Sequence, residues 1–226
     1  MPAGSLSRQE YPGAEPWVPE DHSIPALEAA APSCRGCELF RDATQVVMGR
    51  GDPHADLMLV GEQPGDSEDH QGKPFVGPAG RLLVGALQEA GIDPARAYVT
   101  NAVKHFRFTT KGKQRIHATP TRWNVTACGP WLLAEFDAVR PQLVVVLGAT
   151  AGQAVFGPSF RVGASRGRPL EAPAGWRVEG PVPTFLATVH PSSVLRSRNR
   201  DRAHGEAGED HAALVADLKV VADLLP

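Results

Sequence analysis

The sequence predicts an α/β fold: a short, mainly parallel sheet with helices on both faces. Three observations predict it. Short apolar runs recur along the chain, at Asp56–Val60, Tyr98–Thr100, Leu143–Leu147 and Thr184–Val189. Stretches with helical spacing separate them. The strongest run, Leu143–Leu147, is apolar throughout rather than alternating, as expected of a strand covered on both faces.

The first 33 residues carry Pro2, Pro12, Pro16, Pro19, Pro25 and Pro32 with little apolar periodicity. They read as a flexible lead-in with at most a short helix over 25–31, followed by one domain over 34–226. Asp56–Val60 runs into Gly61 and reads as a buried strand. Over 79–90, Leu82, Leu83, Ala86, Leu87 and Ala90 share a helical face, and Gly91 supplies a stop. Tyr98–Thr100 is the second strand. A helix is expected over 122–139, interrupted or restarted at Gly129–Pro130. Leu143–Leu147 is the third strand and 149–156 a helix. The five glycines and five prolines of 157–183 predict loops and a hairpin. Thr184–Val189 is the last strand, and Leu214, Leu218, Val221 and Leu225 form a closing helical stripe.

A length of 226 residues suits one domain. A hydrophobic fraction of 42% against 21% charged excludes a disordered chain. No apolar run reaches the roughly 18 residues that span a bilayer, and no apolar stretch follows Arg8 as in a signal peptide. Three cysteines are too few for a disulfide scaffold, so a reducing, cytoplasmic setting is expected. No feature predicts a dimer seam, and a monomer is expected.

The net charge of −2 argues against a generally basic coat, but it is an average. No acid occurs between Asp93 and Glu135, a span holding Arg96, Lys104, Arg107, Lys111, Lys113, Arg115 and Arg122. A second basic cluster is Arg196, Arg198, Arg200 and Arg202. Any one such run is usually a solvated face. Here both flank the C-terminal ends of the strands, where parallel sheets bind ligands, and would offset phosphate charge.

Cys34 and Cys37 have the spacing that turns two sulfurs toward one metal, and Cys128 can fold back to them. His105, near a strand end, is the natural fourth donor. A Cys3His set suits zinc or an iron–sulfur cluster on spacing alone, while Cys128 alone would read as an ordinary buried thiol.

Taken in order, five segments resemble the motif set of the family 4 uracil-DNA glycosylases. They are Gly61-Glu-Gln-Pro-Gly-Asp66, Gly72-Lys-Pro-Phe-Val-Gly-Pro-Ala-Gly80, Thr100-Asn-Ala-Val-Lys-His105, Gly112-Lys-Gln-Arg-Ile-His117 and His190-Pro-Ser-Ser193. The fourth, a basic loop ending in histidine, is similar to the UdgX-type branch, and Gln114 departs from it where a second arginine is usual. The resemblance runs from Cys34 to the C-terminus.

It implies a three-layer α/β/α sandwich, uracil-containing and single-stranded DNA as partner, and a nucleoid setting. It also implies a [4Fe-4S] cluster on Cys34, Cys37, His105 and Cys128, with zinc as the alternative. Phe75 would stack on the base, Asn101 would read its polar edge, Gln63, Gly65 and Ser192 would complete the binding surface, and Arg115 would bind there by pairing with a nearby phosphate or hold the loop closed. His190 would donate to the uracil carbonyl that gains charge as the N-glycosidic bond breaks. Asp66 lies in the loop from which the ordinary enzymes place water. Glu62 would support His117, whose imidazole would take the anomeric carbon in place of water and leave the protein joined to the DNA. A water-using glycosylase and a metal-stapled nucleic-acid-binding module without chemistry are the competing expectations.

Overall fold

The computed structural model describes residues 11–178, 180–204 and 209–226, with no side-chain description for 198–204. In chain order the helices are α1 (Ile24–Ala30), α2 (Asp66–Gln71), α3 (Pro78–Glu89), α4 (Arg122–Val139), α5 (Gly148–Phe156), α6 (Val162–Ser165), α7 (Pro191–His204) and α8 (Glu209–Leu224). The strands are β1 (Arg50–Gly51), β2 (Leu57–Gly61), β3 (Ala97–Asn101), β4 (Phe108–Lys111), β5 (Gln114–His117), β6 (Leu143–Leu147), β7 (Pro169–Leu170) and β8 (Thr184–Thr188).

The main sheet has the order β1-β3-β2-β6-β8-β7. Its four inner strands are parallel, and the two-residue strands β1 and β7 lie antiparallel at the edges. Every residue of β2 and β6 is buried, because alternate side chains enter two different cores. Leu57, Leu59, Leu143, Val145 and Leu186 pack on α3 and α8. Met58, Val60, Val144, Val146 and Phe185 pack on α4 and α5. That is the expected three-layer sandwich, and no described helix is long and apolar enough to cross a membrane.

The topology also places the ligand edge. The connection after β2 leads outward to β3, whereas β6 leads the other way to β8. The crevice at the C-terminal ends of β2 and β6 is therefore a topological switch point. In register, Gly61 lies opposite Asn101, and Leu147 opposite Thr188.

Three sequence expectations change. Residues 11–33 are not a flexible lead-in: Ala14, Leu27 and Ala31 are buried beside α4, Tyr11 is buried against Phe40, and Ala14 N–H donates to the Ala127 carbonyl at 2.7 Å. The prolines act here as rigid starts of helical turns, with Pro25 in the first turn of α1 and Pro32 in the short turn after it. Pro130 does not interrupt α4, which runs unbroken across it. Both flanks of α4 are packed, Leu132 and Phe136 on the sheet and Ala127, Cys128 and Trp131 on the N-terminal segment, so tertiary burial outweighs the lost backbone bond. The basic segment ending at His117 is a β-hairpin rather than a loop. β4 and β5 pair antiparallel, and Gly112 takes the left-handed turn position.

Lys104, counted with the basic surface by its sequence neighbours, is wholly buried. Its Nζ donates to Glu135 Oε2 at 2.5 Å, to Thr100 Oγ1 at 2.8 Å and to the Asn101 carbonyl at 2.7 Å. Lys104→Met should leave Glu135 buried and uncompensated and cost about 3–5 kcal/mol in urea-unfolding stability. Lys104→Met with Glu135→Gln, whose amide oxygen can still accept from Gly49 N–H, should recover part of that loss in the same measurement.

Candidate active site

A cavity of about 780 Å³ opens at the switch point, within the size range of small-ligand sites. It brings together Glu62, Gln63, Gly65, Asp66, Phe75, Asn101, His117, His190, Ser192 and Arg196. Of the residues that the sequence assigns to catalysis or substrate, only Arg115 is not in its lining.

Each wall has a local cause. Glu62 follows the last residue of β2, and Asn101 ends β3. Phe75 has a φ of 55°, a left-handed conformation rare for a bulky residue. The glycines around it make this possible. A Cβ on Gly61 would meet Asn101 Oδ1 at 2.4 Å and Phe75 Cζ at 2.7 Å, and one on Gly80 would meet the Phe75 carbonyl at 1.7 Å. Glu68 joins the two loops by accepting from Gly65 N–H at 3.1 Å and Gly77 N–H at 2.7 Å.

His190 stands at the entry to α7. Its Nδ1 accepts from Ser192 N–H at 3.1 Å and lies 2.8 Å from Ser192 Oγ. A backbone amide can only donate, so the neutral ring carries its proton on Nε2. Burial pushes its pKa down to about 4, against the pull of Glu62 in the other direction. The ring is a neutral donor near pH 7. Ser192 therefore sets the tautomer of His190.

His117 is half exposed, and its Nε2 lies 3.2 Å from Glu62 Oε1. Burial raises the Glu62 carboxyl, but hydrogen bonds from His117 and Thr150, together with the charges of His117 and His190, hold the group below its ordinary value. Thr150 Oγ1–H donates to Glu62 Oε2. Sequence reasoning missed Thr150, whose only signal is its place in the first turn after β6.

Gln63 and Arg115 are spent on the hairpin. Gln63 Nε2 donates to the carbonyls of Arg107 and Ala118, and its Oε1 accepts from Arg107 N–H at 3.0 Å. Arg115 binds Asp66 at 2.6 Å and Asp69 at 2.7 Å and stacks over Phe108 and Phe106. It closes the hairpin onto α2 and holds Asp66 in an ion pair. In the second basic cluster, Arg196 lines the cavity, while the side chains of Arg198, Arg200 and Arg202 lie outside the described residues.

Behind this site, Cys34, Cys37, His105 and Cys128 line one small enclosed cavity with Trp131. The three thiols are unpaired and buried. Lys104 N–H points at Cys128 Sγ (3.2 Å) and the Trp131 indole N–H at Cys34 Sγ (3.3 Å). Among the described residues, no three His, Cys, Asp or Glu converge tightly enough for a single metal ion.

The chain belongs to the uracil DNA glycosylase superfamily, whose family model matches residues 48–218. It is similar to a type-4 uracil-DNA glycosylase of Thermotoga maritima, 38% identical over 169 residues, 74% of this chain and 81% of the relative. It is also similar to one of Sulfurisphaera tokodaii, 31% identical over 182 residues and 78% of each chain. A type-5 uracil-DNA glycosylase of Pyrobaculum aerophilum is 32% identical over 120 residues, 46% of this chain and half of that protein.

The depressed His190 has a consequence for stability. Between its ordinary value of 6.5 and about 4 the unfolded chain binds a proton that the folded chain does not. Its contribution is therefore complete above about pH 6.5 and lost as pH falls toward 4. His190→Gln should show a smaller loss of stability than wild type when urea melts at about pH 7 and about pH 4.5 are compared.

Proposed function

We propose that this chain cleaves the N-glycosidic bond of uracil in DNA and captures the exposed sugar on His117. The observation that carries the proposal is the His117–Glu62 contact of 3.2 Å at the mouth of the cavity that also holds Phe75, Asn101 and His190. The substrate is single-stranded DNA, where no base pair has to be opened before the nucleotide swings out, and the protein acts as a monomer.

The chemistry follows from the placement. Phe75 offers a ring face to the uracil, and the Asn101 amide, which donates and accepts together, suits its polar edge. As the bond breaks, uracil leaves with the electron pair, and His190 Nε2–H donates to the carbonyl that gains charge. The sugar becomes oxocarbenium-like. An imidazole lone pair of His117 forms the new carbon–nitrogen bond, and the ring is left as a cation beside the Glu62 carboxylate. No water is consumed, and the uracil anion takes its proton from solvent.

The names of the relatives favour a second reading, in which water takes the sugar and the enzyme turns over. Asp66 is the carboxylate in the right loop for that role. Its ion pair with Arg115 weighs on the side of capture.

Cys34, Cys37, His105 and Cys128 would hold a [4Fe-4S] cluster. Their donor types fit, and a cluster spreads its four ligands over four irons, so they need not meet at one point as zinc requires. Backbone and indole N–H groups already face two of the sulfurs, as sulfur ligands need. Bound there, the cluster would tie the N-terminal segment to α4.

Wild-type protein mixed with uracil-containing single-stranded DNA should give a conjugate that survives denaturing electrophoresis, and His117→Ala should give none while still releasing uracil. Free abasic DNA from the wild type over many turnovers would sink the capture reading. Purified protein should contain iron and acid-labile sulfide in about equal amounts; zinc alone would overturn the cluster.

A further inference from the structure

Thr150 is absent from every motif of the sequence and sits on α5, far along the chain from the hairpin and from the loop after β2. Its hydroxyl nevertheless meets the carboxylate at the centre of the site. Glu62 has two oxygens with two partners: Oε1 faces His117 Nε2 at 3.2 Å, and Oε2 accepts from Thr150 Oγ1–H. The direction is fixed, because an ionised carboxylate only accepts. The bond also crosses the switch-point crevice, from the helix that follows β6 to the residue that follows β2. The C-terminal ends of the two central strands are thereby joined side chain to side chain above the sheet.

We propose that Thr150 is a positioning residue for the capture step, fixing the rotamer of Glu62 so that the other oxygen meets His117. The inference rests on the capture reading above. A carboxylate on a flexible side chain would otherwise sample several rotamers, and only some present an oxygen to the imidazole. One anchored oxygen leaves the second at a defined place. Removing the anchor frees Glu62 to turn, and it also removes a hydrogen bond that favours the charged form. The titratable groups facing Glu62 are His117 on β5 and His190 at the start of α7. With Thr150 gone, only these two oppose the effect of burial on Glu62, and its ionisation moves to higher pH. The acid limb of adduct formation moves with it. Thr150 does not line the cavity, so uracil binding and bond cleavage should be affected less than capture.

The test compares Thr150→Val, which keeps the shape and removes the donor, with Thr150→Ser, which keeps the donor. Single-turnover adduct formation is followed on denaturing gels against pH, with uracil release measured in the same samples. Thr150→Val should slow adduct formation about tenfold, the scale of one hydrogen bond to a charged group. It should shift the acid limb upward and change uracil release by much less. Thr150→Ser should restore both rate and pH profile. If near-UV circular dichroism shows Thr150→Val misfolded, Thr150→Ala against Thr150→Ser carries the same comparison. Equal loss of adduct and uracil release in the Val and Ser variants would make Thr150 structural only, and a Val variant with wild-type rate and pH profile would also overturn the assignment. In either case the wild-type adduct would stand. Failure of the wild type itself to form an adduct, with uracil released, would overturn the capture reading and this inference together.

Discussion

The buried Lys104–Glu135 pair is the constraint around which both halves of the molecule are arranged. Glu135, inside α4, accepts from Lys104 Nζ, Thr100 Oγ1, Tyr98 OH and Gly49 N–H. It thereby holds β3, the approach to β1 and the segment after β3 to one helix. Against an apolar pair of the same size, a buried ion pair adds little net stability, so its consequence is mainly geometric. Lys104 also grips the Asn101 carbonyl, and its own N–H faces Cys128 Sγ. The segment from Asn101 to His105 is therefore clamped at its centre. One end presents the Asn101 side chain to the cavity at the switch point, and the other presents the His105 imidazole to the cysteine cavity. Displacing α4 would move both sites at once.

A second organising feature is how the acidic loop after β2 spends its carboxylates. Glu68 is committed to two backbone amides, Asp69 to Thr44 N–H and Arg115, and Asp66 to Arg115. These three build the loop and hold the hairpin down on it. Glu62 faces His117 at 3.2 Å with no Lys or Arg paired to it, whereas Asp66, though 3.8 Å from His70, is committed to Arg115. From composition, the cluster looks like several equivalent candidates for acid–base work. In the fold, one has a chemical outlook and the others make that outlook possible. The same sorting applies to the basic residues, where Arg115 and Lys104 neutralise internal acids and only others remain for a polyanion.

What the sequence could reveal follows from the range of the signals. The four parallel strands and α3 were legible because their apolar patterns are local, and Glu62, Asn101 and His190 because each ends a readable strand. The cysteine set was legible by residue type. Three things were not. Residues 11–33 look polar and proline-rich because their buried apolar positions are few, and Ala14, Leu27 and Ala31 find their partners on α4, a contact that no local pattern announces. Pro130 reads as a helix break because the packing on both sides of α4 is tertiary. Thr150 has no local signature, since its meaning depends on β6 lying next to β2. Arg115 was legible as part of the hairpin segment, but its partners on α2 were not.

The cavity holds two imidazoles to which the proposed chemistry gives opposed tasks, and the fold separates them by depth. His190 is sunk at the sheet end, where burial keeps it uncharged despite the nearby Glu62 carboxylate. Ser192 N–H occupies Nδ1 and leaves the donor on Nε2. A neutral donor suits a leaving group that becomes negative, because it has no competing charge to lose to solvent. His117 is half exposed on a hairpin edge and touches Glu62 directly. On the proposed chemistry it must end as a cation, and a carboxylate at 3.2 Å is the environment that tolerates one. Glu62 faces both rings, yet only the one in direct contact can benefit from it. Pairs of titratable groups pushed apart by their surroundings are how one cavity divides donor from acceptor work. Here burial makes the division on one side and the Thr150-anchored carboxylate on the other.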